Sequence, residues 1–257
     1  MTGVQTCALP ILERRGPDHE GSYGDGVLAF GHRRLSVIDL SEHANQPMVD
    51  QELGLTLVFN GAIYNYPALR AELRGKGYHF FSDGDSEVII KAWHAWGEAC
   101  VERLHGMFAF ALWDQRSRSL FLARDRLGIK PLYYTVDGSR LRFASNLQAL
   151  LAAGEVDSAI DPVALHHQFT LHAVIPAPRT ILQGVRKLAP GHWLRVDAAG
   201  GSEQQRYWSF PATRPQQPIS DGEWLEAIHD SLRNAVRQRN EIADLPVGVL
   251  LSGGLDS

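Results

Sequence analysis

The chain has 257 residues, of which 44% are apolar and 21% charged, and 25 Lys and Arg against 29 Asp and Glu give a net charge of −4. No block of Lys and Arg is long enough to indicate binding to nucleic acid or to an anionic membrane surface, and no apolar stretch reaches the roughly 20 residues needed to span a bilayer. Two cysteines, Cys7 and Cys100, offer neither a disulfide framework nor a metal cluster. We therefore expect a cytoplasmic enzyme with no nucleic-acid or membrane partner.

The first twelve residues fit poorly with those that follow. Residues 1–12 lack the charged start and long apolar centre of a secretory signal, and they show no clear strand or helix pattern. We expect them to be a foreign leader, such as a cloning scar or an assembly error, joined at about Leu12.

Residues 13–196 alternate short apolar strands with a few helices. The Asn60-Gly61 pair is a strong turn signal after the apolar run 57–59, and residues 88–104 place one apolar face at helical spacing. Further strands are expected in pairs, the first pair as a hairpin, at 107–113 with 120–123 and at 131–135 with 141–144. Non-local strands of this kind favour an α+β sandwich over a parallel sheet.

A linker is predicted at 197–218. This segment has no regular apolar pattern and is rich in residues that interrupt helices and strands, such as Gly200, Gly201, Pro211 and Pro215. After it, Ser220 and Glu223 have the spacing of a capping box, and the helix that follows carries an apolar face. The run 247–251 then predicts a buried parallel strand. Helix and strand together indicate the start of a doubly wound α/β domain in residues 219–257.

The last six residues, Ser252 to Ser257, have the composition of a phosphate-binding loop. Gly253 and Gly254 allow the backbone to approach phosphate oxygens, and the hydroxyls of Ser252 and Ser257 can donate to them. Asp256 could hold a magnesium ion that bridges the phosphates of ATP. An ordinary strand-to-helix turn is the alternative. The motif SGGLDS resembles the pyrophosphate loop of the ATP pyrophosphatases, which activate a carboxylate or carbonyl by adenylation.

Four upstream blocks carry more polar residues than a plain core would, and three further blocks follow them. The four are RRGPD at 14–18, HRRLS at 32–36, FNGAIYN at 59–65 and GDSE at 84–87, and the three are GMFAF at 106–110, ARDRLGIKPLYY at 123–134 and FAS at 143–145. Together they resemble the glutamine-hydrolysing domain of the class II amidotransferases, and with the terminal loop their order resembles that of the glutamine-hydrolysing asparagine synthetases over about residues 13–257. The resemblance implies a four-layer αββα N-terminal-nucleophile hydrolase sandwich, followed by the start of a doubly wound α/β ATP-pyrophosphatase domain.

The chemistry of glutamine suggests roles for four residues. Arg34 suits the α-carboxylate, because a guanidinium presents a planar fork of donors, and Asp85 suits the α-ammonium. The amide of Asn60 and the backbone N–H of Gly61 are suited to stabilising the oxyanion that forms on the side-chain amide, at roughly 3–4 kcal/mol for each donor.

Each of these residues also has a structural interpretation. Arg34 could form a surface ion pair, Asp85 could cap the helix that follows it, and Asn60-Gly61 could be only a hairpin turn. Cys100 lies on the apolar face of the predicted helix and is expected to be a core residue.

Two departures from the family pattern concern specificity. Relatives often carry glutamate where Ala62 stands, and they often follow the FAS block with glutamate where this chain has Asn146. The run 166–187 looks more like the branch that amidates N-acetylglutaminylglutamine.

The nucleophile of this family is the cysteine that follows the initiator methionine, because its own α-amine acts as the base. Cys7 has six residues ahead of it, so we expect this polypeptide, as it stands, not to hydrolyse glutamine. The intact enzyme would use ATP and Mg to adenylate a carboxylate acceptor, either aspartate or a glutaminyl dipeptide. It would then form the amide with ammonia from glutamine. A homodimer is compatible with this interpretation. A non-catalytic glutamine-binding module and an enzyme that uses free ammonia are the alternatives.

Overall fold

A computed structural model describes residues 9–138, 140–214 and 218–254 of the chain. Its strands are β1 (His19–Gly24), β2 (Ala29–Arg34), β3 (Met48–Asp50), β4 (Leu55–Ile63), β5 (Gly106–Asp114), β6 (Ser119–Arg124), β7 (Tyr133–Asp137), β8 (Arg140–Ala144), β9 (Arg186–Lys187), β10 (His192–Val196) and β11 (Ser202–Arg206). Its α-helices are α1 (Leu9–Leu12), α2 (Tyr66–Gly75), α3 (Asp85–Trp96), α4 (Cys100–Arg103), α5 (Leu147–Ala152), α6 (Pro162–Thr170) and α7 (Asp221–Glu241).

Six strands form one antiparallel sheet in the order β11-β10-β6-β5-β4-β3. Successive side chains of a strand point to opposite faces, and the two faces here are both buried. On β5, for example, Phe108 and Phe110 face one core cluster, whereas Ala109 and Ala111 face a second cluster. The sheet is therefore the middle of a layered structure rather than an outer wall.

The layers run helix, sheet, sheet, helix. Helices α2 and α3 cover the first face of the large sheet, where Leu69, Leu73, Val88 and Ile89 join the core. The second face packs on β1–β2 and on the small sheet β8-β7-β9, and α5 lies outside that small sheet. The predicted αββα sandwich is confirmed. None of the described helices combines the length and apolarity that a membrane crossing requires.

The hairpin interpretation of Asn60-Gly61 is wrong. Strand β4 continues through both residues to Ile63, because β5 runs beside it and pairs Asn60 with Ala109 and Gly61 with Phe108. A neighbouring strand thus outweighs the local turn preference of an Asn-Gly pair.

The predicted hairpin of β5 and β6 and the pair β7–β8 are confirmed within a few residues. The helix predicted at 88–104 begins earlier, at Asp85, and is interrupted after Trp96. Gly97 has φ of +57°, a left-handed value that ends the helix and that glycine adopts without a steric penalty. A short 3-10 turn and α4 continue to Arg103.

The predicted linker at 197–218 is partly wrong. Ser202–Arg206 forms β11, which pairs with β10 along the edge of the large sheet. All five residues of β11 are exposed and polar or charged, so their sequence lacks the apolar pattern by which a strand is usually recognised. Residues 215–217 lie outside the described residues.

The end of the expected leader contacts the domain. Leu9–Leu12 forms one helical turn that contacts β2 and α5, and Leu9 is 4% exposed beside Gly31. Residues 1–8 lie outside the described part of the chain, and the foreign origin of the leader stays a prediction.

The capping box of α7 is confirmed, since Ser220 accepts from the Glu223 N–H and the Glu223 carboxylate accepts from the Ser220 N–H. The buried parallel strand at 247–251 is wrong for the described chain, where Val249, Leu250 and Leu251 are 83%, 97% and 81% exposed. A strand needs a neighbour for its backbone hydrogen bonds, and the described residues supply none to this run.

Candidate functional site

The candidate site is built around the last residues of β4, of which Ala62 and Ile63 are buried. Asn60 occupies the same face of the strand as Val58, which belongs to the core between the sheets. Unlike Val58, Asn60 is exposed to solvent. The strand therefore presents a polar amide at the rim of an otherwise apolar layer.

Gly61 cannot carry a side chain in this backbone. A Cβ at this position would lie 2.1 Å from the Met107 carbonyl oxygen and 2.8 Å from the Phe108 Cα. Because both of these atoms belong to the backbone of the adjacent strand, they cannot move aside as a flexible side chain would. The close contact fixes the path of β4 next to Asn60.

Asp85 is the first residue of α3 and is 5% exposed. Its Oδ2 accepts a hydrogen bond of 2.9 Å from the Ile63 N–H at the end of β4. Burial raises the pKa of this carboxyl to about 6, against the opposing effects of backbone N–H groups and of the positive charge on Arg34. The carboxylate therefore does more than cap α3, because it also links the start of that helix to the end of β4.

Arg34, the last residue of β2, is 6% exposed and hydrogen-bonded mainly to backbone oxygens. Its Nη1 donates to the Ser41 carbonyl and to Asn45 Oδ1, each at 2.9 Å, and its Nη2 donates to the Ile38 and Asp39 carbonyls. Arg34 is therefore not the surface ion pair of the alternative interpretation. It supports the loop 38–45, and its binding of a substrate carboxylate stays a prediction.

His32 belongs to the same region, and the sequence analysis assigned it no role. Its Nε2 lies 3.1 Å from the Phe59 carbonyl oxygen, so this nitrogen carries the proton and donates. Its Nδ1 is buried without a hydrogen-bond partner among the described residues. Burial lowers the pKa of His32 to about 4, which keeps the ring neutral near pH 7. The contact fixes the peptide immediately before Asn60. Its only sequence signal was its place as the first residue of the block HRRLS at 32–36.

The structure thus gathers the predicted residues of the first domain. Strand β2 brings His32 against β4 and carries Arg34 to the loop 38–45, and α3 brings Asp85 to the end of β4. The oxyanion role of Asn60 and Gly61 and the glutamine-binding role of Asp85 remain predictions. Their common location gives a site with hydrogen-bond donors and a buried carboxyl group.

The predicted phosphate loop is only partly described. Ser252, Gly253 and Gly254 are exposed, and the Gly254 N–H donates to Ser252 Oγ at 3.2 Å. Asp256 and Ser257 lie outside the described residues, so the magnesium and phosphate assignments stay predictions. Within the described chain, no group of three or more His, Cys, Asp and Glu residues could hold a metal ion.

Cys100 is confirmed as a core residue. It is fully buried in the cluster between the large sheet and its helices, and burial raises the pKa of its thiol. A thiol without solvent access and with little thiolate is not a nucleophile at neutral pH. Cys7 lies outside the described residues.

Comparison with known proteins gives two family matches. A model described as a glutamine amidotransferase domain matches residues 4–208, and one described as asparagine synthase matches residues 227–257. The first match begins inside the expected leader and extends through β11.

Curated relatives match nearly the whole chain. The chain is 37% identical over 248 residues to glutamine-hydrolysing asparagine synthetase 3 of Bacillus subtilis, covering 96% of this chain and 40% of the relative. It is 36% identical over 254 residues to amidase chry2 of Gibberella zeae, covering 97% and 37%. The chain therefore spans about two fifths of the length of these relatives.

Among solved structures, the glutamine phosphoribosylpyrophosphate amidotransferase of B. subtilis matches with a TM-score of 0.48 and 20% identity. That match covers 70% of this chain and 35% of the solved chain.

Proposed function

The chain belongs to the glutamine amidotransferase domain family, and from this premise we propose that it binds glutamine and forms the glutamine-hydrolysing part of an ATP-dependent amidotransferase. The observation that supports this best is the gathering of Asn60, Gly61 and Asp85 around the end of β4, with His32 and Arg34 supporting the same strand and loop.

In this proposal the ionised Asp85 pairs with the α-ammonium of glutamine. The cysteine that follows the initiator methionine in this family would attack the side-chain amide carbon, its thiol proton passing to its own α-amine. The carbonyl oxygen becomes an oxyanion that accepts hydrogen bonds from the Asn60 amide and the Gly61 N–H. Collapse of this intermediate returns the proton to the leaving nitrogen and expels ammonia, and water then hydrolyses the thioester to give glutamate. Cys100 is excluded as the thiol by its burial.

The second half of the proposal concerns the acceptor. Ser252, Gly253 and Gly254, together with Asp256, Ser257 and Mg, would bind the phosphates of ATP while an acceptor carboxylate is adenylated, and ammonia would displace AMP. The match of residues 227–257 to the asparagine synthase model supports aspartate as acceptor. A glutaminyl dipeptide remains the second candidate, on the basis of the run 166–187.

Calorimetric titration of the chain with glutamine tests the binding step. We expect binding to weaken roughly 10- to 100-fold in Asp85→Asn, because the variant loses a charge-assisted contact but keeps an acceptor for the Ile63 N–H. Asp83→Asn is the matched control, since its side chain is 94% exposed on the same loop. Absence of glutamine binding to the unmodified chain would contradict the proposal.

A second experiment separates the enzyme from a binding module. Ammonia release from glutamine is measured with the product of the source gene, expressed from its native start. Release that is lost in Asn60→Ala, while glutamine still binds, supports catalysis. Glutamine binding without ammonia release in the native protein would support the non-catalytic module, and AMP formation with free ammonia alone would support the ammonia-using enzyme.

A further inference from the structure

Asp39 is the centre of a small hydrogen-bonded network beside the candidate site. Its carbonyl oxygen accepts from Arg34 Nη2, and its Oδ2 accepts from the Asp83 N–H at 2.7 Å, two residues before Asp85. Its Oδ1 accepts from the Ser41 N–H and hydroxyl. A single residue therefore holds the loop around Arg34 and the loop that leads into α3.

The backbone of Asp39 adopts an unfavourable conformation. Its φ is +52°, in the left-handed region that L-residues other than glycine adopt at some cost, although aspartate and asparagine do so more readily than most. Such a conformation persists when the surrounding contacts outweigh its cost. The contacts that hold the Asp39 peptide therefore bear directly on the geometry of the site.

One of those contacts comes from the far end of the chain. Asp244 Oδ2 accepts a hydrogen bond of 2.6 Å from the Asp39 N–H, and the Asp244 N–H donates to the Val37 carbonyl at 3.0 Å. These two bonds hold the two successive peptide groups on either side of Ile38, and the second of these groups leads into the strained Asp39. Asp244 lies between α7 and the Ser252 loop.

Two neighbours of Asp244 show that the contact is part of a docked segment. Ile242 is 8% exposed, whereas the apolar residues of α7 before it are largely exposed. The Arg239 guanidinium lies 4.5 Å from the centre of the Tyr64 ring, immediately after β4. The end of α7 and the residues that follow thus rest on both β4 and the Val37–Asp39 loop.

We propose that Asp244 is a positioning residue for the glutamine site, acting through the Asp39 N–H on the loop that holds Arg34 and on the start of α3 at Asp85. This inference rests on the proposed glutamine-binding function. It adds that the segment preceding the Ser252 loop holds the glutamine site in its binding geometry.

Hydrogen exchange of the Asp39 amide tests the contact in the full chain without any ligand. We expect the amide to exchange about tenfold faster in Asp244→Ala than in the unmodified chain, because the carboxylate acceptor is lost. Asp244→Asn retains an oxygen acceptor and should stay within about threefold of the unmodified chain. Asp230→Asn, an exposed change on α7, is the matched control. Unchanged exchange in Asp244→Ala, or equal acceleration in Asp244→Asn, would overturn the proposal.

Glutamine affinity, measured on the same variants, tests the positioning. We expect Asp244→Ala to bind glutamine about tenfold more weakly at an unchanged melting temperature, with Asp244→Asn largely restored. A purely structural role would lower the melting temperature, and the glutamine affinity would then not depend on whether residue 244 keeps an acceptor oxygen. Faster exchange at the Asp39 amide with unaltered glutamine affinity would overturn the proposed positioning role of Asp244. If no variant binds glutamine, the proposed function fails, while the exchange experiment still decides whether Asp244 holds the loop.

Discussion

At the scale of single residues, the candidate site combines two buried groups whose pKa values move in opposite directions. Burial disfavours the charged form of each, which raises the pKa of the Asp85 carboxyl to about 6 and lowers that of the His32 imidazole to about 4. His32 is thus largely neutral between pH 5 and 7, where the ionised fraction of Asp85 changes most. Changes in the site between pH 5 and 7 can therefore be attributed to the aspartate.

Glutamine binding should depend on pH through Asp85. The ammonium of glutamine requires the carboxylate, and with a pKa of about 6 the free protein loses that form as the pH falls through 6. We expect affinity to be constant above about pH 7 and about tenfold weaker at pH 5. Calorimetric titration across this range measures the effect, and Asp85→Asn should remove the pH dependence. Equal affinity at pH 5 and pH 7.5 would argue against Asp85 as the ammonium ligand.

Gly61→Ala should destabilise the protein, because its Cβ would meet the Met107 carbonyl oxygen at 2.1 Å. We expect a loss of about 1–3 kcal/mol in the free energy of unfolding, the usual cost of forced displacement in a packed region. Chemical denaturation measures it. Gly75→Ala is the control, since its Cβ would meet no atom within 4 Å and alanine favours a helix, so that variant should be neutral or slightly more stable. Equal stability of the two variants would show that β4 and β5 are not so closely spaced at Gly61.

At the scale of elements, α3 connects the site to the core. Its first residue is Asp85, and two residues later Glu87 accepts from the backbone N–H groups of Phe81 and Ser82. Glu87 and Asp50 both lie near Lys91 Nζ, at 3.6 and 2.5 Å, and all three side chains are at most 6% exposed. This buried charge cluster fixes the loop that precedes Asp85.

Lys91→Met should therefore be strongly destabilising, because two buried carboxylates would lose their positive partner. We expect the free energy of unfolding, measured in urea, to fall by about 3–5 kcal/mol, the usual result of removing one member of a buried pair. Arg140→Ala removes an exposed partner of Glu155 and should change stability by less than about 1 kcal/mol. A loss below 1 kcal/mol in Lys91→Met would mean that water entry or a local movement stabilises the two carboxylates left without a partner.

The elements also show which parts of the fold were predictable from sequence. Strands β5 and β6 were foreseen because long apolar runs flank a polar turn, and α7 was foreseen because its capping box is local. Strand β11 was missed because its exposed edge has no apolar signal. The turn signal at Asn60-Gly61 was misleading because the pairing with β5 that overrides it is not local. Features determined by neighbouring residues could be predicted from the sequence, but contacts between distant segments could not.

At the scale of the whole molecule, the candidate site depends on segments far apart in sequence. Asn60 and Asp85 could be selected from their blocks, since an amide donor and a carboxylate in those patterns suit glutamine. The support provided by His32, Asp39 and Asp244 could not be foreseen, because it depends on which backbone groups the fold brings together. The residues that contact the ligand in our proposal were therefore more predictable than the residues that hold them.

The exposed run 247–251 has a consequence for the behaviour of the chain in solution. It is uncharged and rich in β-branched and aliphatic side chains, with Val249 to Leu251 more than 80% exposed. Segments of this kind can pair with copies of themselves and nucleate cross-β aggregates. We expect light scattering to rise with protein concentration, and Leu250→Lys to suppress it without changing the melting temperature.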